Sequence, residues 1–568
     1  QACGSGHILV YGFELFSKIY EEQGYNQSEI PELIINKNLF GFEIDERAAQ
    51  LSGFALLMKA REYHRRVFRK ELKPKILCYK DLKLTEEEIK ETFSQLKINL
   101  SDELFFDLKN IQQSTNLGSL IIPHTDLQIL KEISEKINAN KDSSDVFLRY
   151  RLEELDMALS HLQLLGNKYH CVVDNPPYMG GGKMNKQLSD WVKTNYPNSK
   201  SDLMACFMEV GLEILCPKGF LGMINQHSWM FLSSYEGLRE VLLSEAHIDT
   251  LLHLGPRTFP EIGGEVVQNA SFTLLNSKTE KSGRYIRLVE YTKSDQKRSQ
   301  ALEAIQNPNC EWFYTVNQKE FLKIPEKVIG YSFSNKLKSL FVKNRLLGEL
   351  VPTKQGMATG KDAKYLAFHY EVNILDIDFG VNNFESINNT YCLYNKGEQL
   401  IKWDTPSEII VRYNQKTINE LKKLGNRCPS KDWYFQPYLT WPKLVNNRFG
   451  VRFQKNHVFG SNGLCAFPSE SEIYYYQGLL CSKVVYHILS QLNPTLAFQK
   501  GTIDCIPIIM EQNTEIELVV KSNMQISKEA WERLETSWGF NQNQLICRRG
   551  QNFKESYELY QQYWTNKF

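Results

Sequence analysis

The sequence predicts an α/β fold, in which a mostly parallel sheet is covered by helices on both faces, followed by a second domain. Over the first half of the chain, short apolar runs alternate with longer segments whose apolar residues recur at helical spacing, a pattern typical of parallel sheets. The chain has 568 residues, of which 42% are hydrophobic. It is therefore long enough for more than one domain with its own core.

The elements of the first half follow in a regular order. A glycine turn at residues 2–6 precedes a helical segment. Charged helical segments from about residue 83 to 165 predict an insertion outside the sheet. Strands are expected at residues 39–45, 76–79, 169–174, 220–225, 248–254 and 266–275, and helices at 8–22, 46–67 and 202–215. Ligands of such sheets bind at the carboxyl ends of the strands.

Three parts are predicted along the chain. Residues 1–331 form the α/β domain. From Ser332 to residue 510, short β-like runs and Asn-rich turns predict a second, α+β domain. Residues 511–568 predict a helical tail, since Ser527 to Trp531 has the composition of a helix start.

A basic and aromatic stretch lies in the second domain. Between Arg412 and Lys455 there are ten Lys/Arg against only Glu420 and Asp432, interleaved with aromatic residues. Cations and flat rings together are typical of nucleic-acid binding. The alternative is a basic face over an aromatic core. The candidate DNA-contacting residues are Lys183, in a Gly/Lys-rich loop of the first domain, and Arg412, Lys416, Lys443, Arg448 and Arg452.

Composition excludes several classes of protein. The sequence contains no run of about eighteen apolar residues, which is the length that would predict a membrane span. The 12 cysteines are scattered without metal-ligand spacing, which favours reduced thiols in a cytoplasm and no metal site. The net charge of +1 decides nothing by itself.

The most specific motif is Asp174-Asn175-Pro176-Pro177-Tyr178, at the end of a predicted strand. Two acceptors, the Asn175 side-chain oxygen and the Pro176 carbonyl, suit an exocyclic amino group whose lone pair must be freed for reaction. The Tyr178 ring offers a stacking surface for a base swung out of a duplex. The alternative is an ordinary Pro-Pro turn with an anchoring tyrosine.

A second group of residues suits an adenosine-containing cofactor. The turn containing Gly4 and Gly6 lets the backbone approach a ligand ahead of a helix. Glu43, at the end of the next predicted strand, suits ribose hydroxyls. Asp81, ending a third predicted strand, suits an adenine amino group, with a helix cap or turn residue as the alternative.

Ala-Cys-Gly-Ser-Gly-His, Phe-Glu-Ile-Asp and Asn-Pro-Pro-Tyr, in this order, resemble the motifs of amino-methylating DNA methyltransferases whose target-recognition domain follows the catalytic one. Residues 175–183, 196–203 and 226–234 are more specifically similar to the PglX methyltransferases of BREX phage-exclusion systems. The similarity extends over most of the chain, including residues 527–540.

The resemblance implies a Rossmann-like methyltransferase domain, a DNA target-recognition domain over residues 332–510 and transfer of a methyl group from S-adenosylmethionine to N6 of adenine in double-stranded DNA. Other BREX proteins would be partners. Asn175, Pro176, Pro177 and Tyr178 would form the catalytic motif, with Phe259 on the other side of the base. Ala2, Cys3, Gly4, Gly6, Glu43, Ile44 and Asn175 would bind the cofactor, and Asp81 and Leu82 would frame its adenine.

The chain departs from the family pattern at its start, where the family has an acidic residue and a proline and this chain has only Gln1. We therefore expect an upstream segment holding the first strand. Alternatives remain: methylation of a protein glutamine or an RNA guanine, the methylating half of a fused restriction enzyme, or a truncated DNA-binding or assembly component that transfers no methyl group.

Overall fold

The computed structural model describes residues 1–568 except 142–144, 260–266, 398–399, 424–428, 445–447, 494–496, 511–513 and 568. The chain divides into two compact units, Gln1–Leu322 and Lys323–Phe568. The division falls a few residues before the boundary expected between 331 and 332. Among the described residues, no helix is both long enough and apolar enough to cross a membrane.

The first unit contains a parallel strand pair and a six-stranded sheet. The pair is β1–β2, and the larger sheet has the order β3-β4-β6-β5-β7-β8. The strands are β1 Phe40–Glu43, β2 Lys75–Cys78, β3 Tyr169–Asp174, β4 Leu215–Gln226, β5 His247–Gly255, β6 Asn269–Leu275, β7 Gly283–Arg287 and β8 Phe313–Val316.

The structure differs from the expected single, mostly parallel sheet in two ways. The first strands form a sheet of their own, and β1 approaches β3 through rings, with Phe40 and Phe42 edge-on to Tyr169 at 5.3 and 6.2 Å between ring centroids. In addition, β6 runs antiparallel to both β4 and β5. None of the described residues between β5 and β6 belongs to a helix, whereas parallel neighbours are usually joined by a helical crossover.

The strand directions bring several chain segments to one edge of the large sheet. Strands β3 and β4 are parallel, and the last residue of β4, Gln226, pairs with Asn269 at the start of β6. Gly255, the last residue of β5, also pairs with Asn269. The motif after Asp174 therefore lies at the same edge as the ends of β4 and β5, where ligands of α/β sheets bind.

Twelve α-helices are found among the described residues of this unit. Asp45 and Thr85 accept backbone N–H bonds at the starts of the third and fourth, as N-cap residues do. The helices are α1 His7–Glu22, α2 Ile30–Leu33, α3 Glu46–Tyr63, α4 Glu86–Gln95, α5 Asp102–Ile111, α6 Ser114–Leu117, α7 Leu127–Ala139, α8 Val146–Gly166, α9 Lys186–Asn195, α10 Leu203–Glu213, α11 Glu236–Glu245 and α12 Ser294–Gln306. Helices α4 to α8 occupy the segment expected to be a helical insertion.

The described residues of the second unit form two five-stranded sheets, a two-stranded sheet and helices. Its strands are β9 Arg345–Leu346, β10 Thr353–Lys354, β11 Leu366–Phe368, β12 Ile377–Asp378, β13 Tyr391–Asn395, β14 Trp403–Asp404, β15 Ile409–Arg412, β16 Tyr438–Pro442, β17 Arg452–Gln454, β18 His457–Phe459, β19 Gly463–Ala466 and β20 Pro507–Ile508. Its helices are α13 Asn335–Lys343, α14 Leu347–Leu350, α15 Asp362–Tyr365, α16 Gln415–Lys423, α17 Ile473–Leu480, α18 Lys483–Leu492, α19 Lys500–Asp504, α20 Thr514–Glu532, α21 Gln544–Cys547 and α22 Phe553–Lys567.

Most rings of the basic and aromatic stretch belong to the core of this unit. Tyr413, Tyr434, Phe435 and Tyr438 are buried in one apolar cluster, and Trp441 is buried in another. These rings hold the sheets together and are covered by other side chains. The alternative interpretation, a basic face over an aromatic core, therefore describes them correctly.

Candidate active site

The glycine turn lies directly beside β1. The Cys3 N–H donates to the Phe42 carbonyl at 2.9 Å. Gly6 precedes α1 with φ +87°, and a Cβ at this position would lie 2.6 Å from Ser52 Oγ. Both facts require glycine at residue 6, because other residues rarely adopt a positive φ and would collide with α3.

Glu43, the last residue of β1, is held by three backbone donors. One carboxylate oxygen accepts from Gly4 N at 2.8 Å. The other accepts from Ile44 N at 2.9 Å and from Asp45 N at 3.0 Å. A carboxylate has about four acceptor positions, so it can still accept from a ligand, and its orientation is already set.

A cavity of about 280 Å³ opens between the glycine turn, β1 and the end of β3. It brings together side chains that are far apart in the sequence, including the turn, Glu43 and the Asn-Pro-Pro-Tyr motif. Its lining residues are Gln1, Ala2, Gly4, Glu43, Ile44, Asn116, Leu117, Gly118, Ser119, Leu120, Asn175, Pro177, Leu203 and Phe207. Two separately predicted groups of residues thus share one cavity.

The Asn-Pro-Pro-Tyr motif leaves β3 at the edge described above. Asp174 is buried, and burial raises the pKa of its carboxyl group. The side chain of Asn175 is exposed, and no residue in the described ranges hydrogen-bonds to it. Pro176 is buried, whereas Pro177 lines the cavity. Asn175 is therefore available to a ligand.

The hydroxyl group of Tyr178 is anchored while its ring stays partly exposed. The hydroxyl donates to the Ile224 carbonyl at 3.4 Å and accepts from Asn269 Nδ2 at 3.1 Å. Burial raises the pKa of Tyr178 to about 12. The phenol is therefore neutral at physiological pH.

The loop after the motif is fastened to the start of α10. One carboxylate oxygen of Asp202 accepts from Met179 N at 3.0 Å and from Met204 N at 3.1 Å. Leu203 N donates back to the Met179 carbonyl at 3.1 Å. These bonds set Leu203 and Phe207 as one wall of the cavity, a role that the sequence analysis did not predict.

The helical insertion supplies a second wall that sequence reasoning missed. Residues 116–120 line the cavity, although they belong to a segment expected to lie outside the sheet. Gly118 has φ +55°, and a Cβ there would lie 2.9 Å from Ile44 Cγ2. The available signal was a glycine within the polar break near Asn116.

Asp81 and Leu82 do not line this cavity. The Asp81 carboxylate accepts from the Thr115 N–H and hydroxyl, each at 2.8 Å, and from Ser114 Oγ at 3.3 Å. Leu82 is buried. Neither is among the described residues that line the cavity. The arrangement matches the cap-or-turn alternative for Asp81, which holds the segment leading to Asn116.

The cavity has the chemistry that an adenosine-containing cofactor needs. Glu43 provides a fixed acceptor, and Ile44, Leu117 and Phe207 provide apolar surface. Asn116 Nδ2 is buried without a hydrogen-bond partner among the described residues. A buried unpaired donor is costly unless something fills its place. The residues present therefore fit S-adenosylmethionine.

Phe259, the candidate for the other side of the base, lies close to an undescribed segment. Phe259 is half-buried and follows the end of β5. It directly precedes residues 260–266, which lie outside the described part of the chain, as does the expected start of a strand at Val266; β6 begins at Asn269. In the described ranges, no group of three or more His, Cys, Asp or Glu side chains is arranged to hold a metal.

The candidate DNA-contacting cations differ in exposure. Lys183, Arg412, Lys416 and Arg448 are exposed, and Lys443 is half-buried. Arg452 is only 5% exposed, and its guanidinium donates to Asn395 Oδ1 at 3.3 Å. The expectation that Arg452 contacts phosphates is therefore wrong for this structure, because strand β17 directs it into the core.

Comparison with known proteins finds one family match and two similar methyltransferases. Residues 37–259 match the family described as Eco57I restriction-modification methylase. Adenine-specific methyltransferase BrxX of Escherichia coli O9:H4 (strain HS) is 34% identical over 98% of this chain and 47% of its own length. Adenine-specific methyltransferase PglX of Lacticaseibacillus casei (strain Zhang) is 32% identical over 96% of this chain and 46% of its own.

Solved structures share the fold. The Type IIL restriction-modification enzyme MmeI, in complex with DNA, aligns with a TM-score of 0.52 and 14% identity over 99% of this chain and 68% of MmeI. A nuclease-deletion mutant of the Type ISP enzyme LlaGI, in complex with a DNA substrate mimic, aligns with a TM-score of 0.53 and 12% identity over 93% of this chain and 44% of that one.

The chain spans about half the length of the curated relatives that it matches. Its relationship to them nevertheless covers both units, and the family match includes β1, β3 and the Asn-Pro-Pro-Tyr motif. Residues 37–259 therefore match the Eco57I restriction-modification methylase family, and nearly the whole chain is similar to part of the adenine-specific methyltransferases BrxX and PglX.

Proposed function

We propose that this protein transfers a methyl group from S-adenosylmethionine to N6 of a flipped-out adenine at a specific site in double-stranded DNA. The observation that carries the proposal is the shared cavity, which joins the glycine turn and Glu43 to the Asn-Pro-Pro-Tyr motif. Donor and acceptor of a methyl group must lie within reach of each other for in-line transfer. A cavity with both sets of residues meets this requirement.

The motif prepares the amino group. The Asn175 side-chain oxygen and the Pro176 carbonyl accept the two N6 hydrogens, which favours a more tetrahedral nitrogen with its lone pair directed at the methyl group. Proline at residue 176 restricts the backbone and so holds that carbonyl in place. Tyr178 stacks on the base from one side, and Phe259 contacts it from the other.

The cofactor supplies an electrophilic methyl group on a sulfonium. Glu43 would accept hydrogen bonds from the ribose hydroxyls. Ala2 and Gly4 line the cavity, and the backbone of the whole turn, with Cys3 and Gly6, would hold the cofactor. Asn116 would donate its N–H to an acceptor on the cofactor. Ile44 and Leu117 would offer apolar surface to the adenine, while Asp81 would act through the turn that it holds and Leu82 through packing.

The second unit reads the DNA sequence. It contains a cleft of about 700 Å³ whose lining combines amide side chains with lysines, and these suit base edges and phosphates, respectively. The cleft is lined by Asn382, Asn383, Phe384, Glu385, Tyr413, Gln415, Ile418, Lys422, Lys431, Asp432, Tyr434, Phe435 and Gln436. Exposed Arg412, Lys416 and Arg448 of this unit add phosphate contacts, and Lys183 of the first unit is a separate candidate for such a contact.

The test compares host DNA with and without the full-length gene by modification-sensitive sequencing. N6-methyladenine at one sequence motif is expected in the presence of the gene and not in its absence. Asn175→Ala is expected to abolish the mark while the protein still folds and binds duplex DNA. Methylation retained by this variant would remove the assignment of Asn175.

The biological setting is proposed on the resemblance to PglX: the mark distinguishes host from phage DNA, and other BREX proteins are partners. A second candidate is a component that binds DNA without methylating it, or the methylating half of a fused restriction enzyme. An unchanged methylome under confirmed expression favours the former, and magnesium-dependent cleavage by the full-length protein favours the latter.

A further inference from the structure

The hydroxyl group of Tyr178 has two partners on strands that run side by side. Asn269 Nδ2 donates to it at 3.1 Å, and the hydroxyl donates to the Ile224 carbonyl at 3.4 Å. We propose that Asn269 is a positioning residue, which fixes the Tyr178 ring as the stacking surface for the target base. This inference rests on the proposed function.

Asn269 is itself held firmly. It is the first residue of β6, where its backbone pairs with Gln226 of β4 on one side and Gly255 of β5 on the other. It is 1% exposed. Its amide nitrogen also approaches the Asn225 carbonyl at 3.4 Å. A side chain placed by two neighbouring strands loses little entropy when it holds another group.

The direction of the hydrogen bonds follows from the groups involved. An amide nitrogen only donates, so the Tyr178 oxygen accepts from Asn269 and its own proton points to Ile224. Burial raises the pKa of Tyr178 to about 12, so the proton is present at physiological pH. The backbone and the hydroxyl then fix both ends of the ring axis.

This anchor acts on the step before chemistry. A flipped base gains stacking energy only if the ring already lies in the correct orientation. Without Asn269, the half-exposed ring samples other rotamers, and part of the stacking energy is lost in ordering it. Asn269 acts through Tyr178 and contacts neither the base nor the methyl group.

The test is a double-mutant cycle with Asn269→Ala, Tyr178→Phe and the double variant in the full-length protein. Single-turnover methylation is measured on an oligonucleotide duplex carrying the identified sequence. Base flipping is measured separately, on the same duplex with fluorescent 2-aminopurine in place of the target adenine. Each single variant is expected to slow methylation about three- to tenfold and to lower the fluorescence gain. The double variant is expected to be no slower than the slower single variant, because Tyr178→Phe already removes the bond that Asn269→Ala removes.

The matched control is Asn276→Ala. Asn276 follows the other end of β6, and its amide donates to backbone carbonyls, including that of Cys216 at 3.3 Å. The Asn276→Ala variant is expected to have a lower thermal stability and unchanged base flipping. An effect of Asn276→Ala equal to that of Asn269→Ala would show a merely structural role.

The remaining outcomes are also decisive. Losses that multiply in the double variant overturn the inference, since Asn269 would then act independently of the hydroxyl. If Asn269→Ala fails to fold, Tyr178→Phe is measured alone. An unchanged methylation rate of Tyr178→Phe would overturn the inference about Asn269. A wild-type protein that transfers no methyl group overturns the proposed function and this role with it, whereas wild-type methylation with multiplying losses overturns only the role of Asn269.

Discussion

Replacing Glu43 with glutamine changes one atom in the wall of the proposed cofactor cavity. In the structure, one carboxylate oxygen accepts from Gly4 N and the other from Ile44 N and Asp45 N. A glutamine amide offers one acceptor oxygen and one NH₂ donor. Whichever way it turns, a donor faces at least one backbone N–H, so the side chain cannot keep its position.

The expected loss follows from these contacts. A hydrogen bond to a charged group contributes about 1.5–3 kcal/mol, so losing one such bond to a ribose hydroxyl weakens cofactor binding about ten- to hundredfold. The unpaired backbone donor also lowers the free energy of unfolding by about 1–3 kcal/mol. Binding of duplex DNA is expected to remain unchanged.

Isothermal titration calorimetry of S-adenosylmethionine with the full-length protein measures the first effect. The matched control is Asp45→Asn, which alters the neighbouring carboxylate. Asp45 caps α3 through its bond from Ala48 N at 2.8 Å and is exposed, and asparagine caps helices equally well. A cofactor affinity of Glu43→Gln within twofold of the Asp45→Asn value would refute the reasoning.

Two further perturbations test the cavity wall and the cleft. Gly118→Ala places a Cβ 2.9 Å from Ile44 Cγ2 at a φ of +55°; we expect a loss of about 1–3 kcal/mol in stability and weaker cofactor binding, measured by thermal unfolding and calorimetry. Gly182→Ala, with open space around the new Cβ, is expected to change neither. Removing the exposed cations Lys422 and Lys431 of the cleft together is expected to weaken DNA binding and to lower the slope of log affinity against log salt by about 1.8, for two phosphates. An unchanged slope would place the DNA elsewhere.

The sequence predicted best where a local pattern determines the structure. The Asn-Pro-Pro-Tyr motif follows β3 as expected, because a short run of strand-forming residues and the following prolines specify both the strand and its end. Glu43 likewise ends a short strand. Because ligands of α/β folds bind at the carboxyl ends of strands, both groups could be assigned to such ends without knowing any long-range contact.

Features that depend on distant contacts were missed. The antiparallel direction of β6 depends on how its chain returns to the sheet, and the spacing of its apolar residues is the same in either direction. The place of Gly118 beside Ile44 joins segments far apart in the chain. The burial of Tyr438 and Arg452 could not be predicted either, because aromatic and basic composition does not distinguish a core from a binding surface.

The wall formed by residues 116–120 divides the helical insertion into two parts with different freedom to vary. Helices that contribute no lining residue, such as α4 and α7, can change in length or sequence as long as their own packing is kept. The short segment from Ser114 to Leu120 cannot, because Gly118 must pass beside Ile44 and Thr115 must meet Asp81. Among homologues, insertions and deletions are therefore expected to cluster on either side of this segment and to spare it.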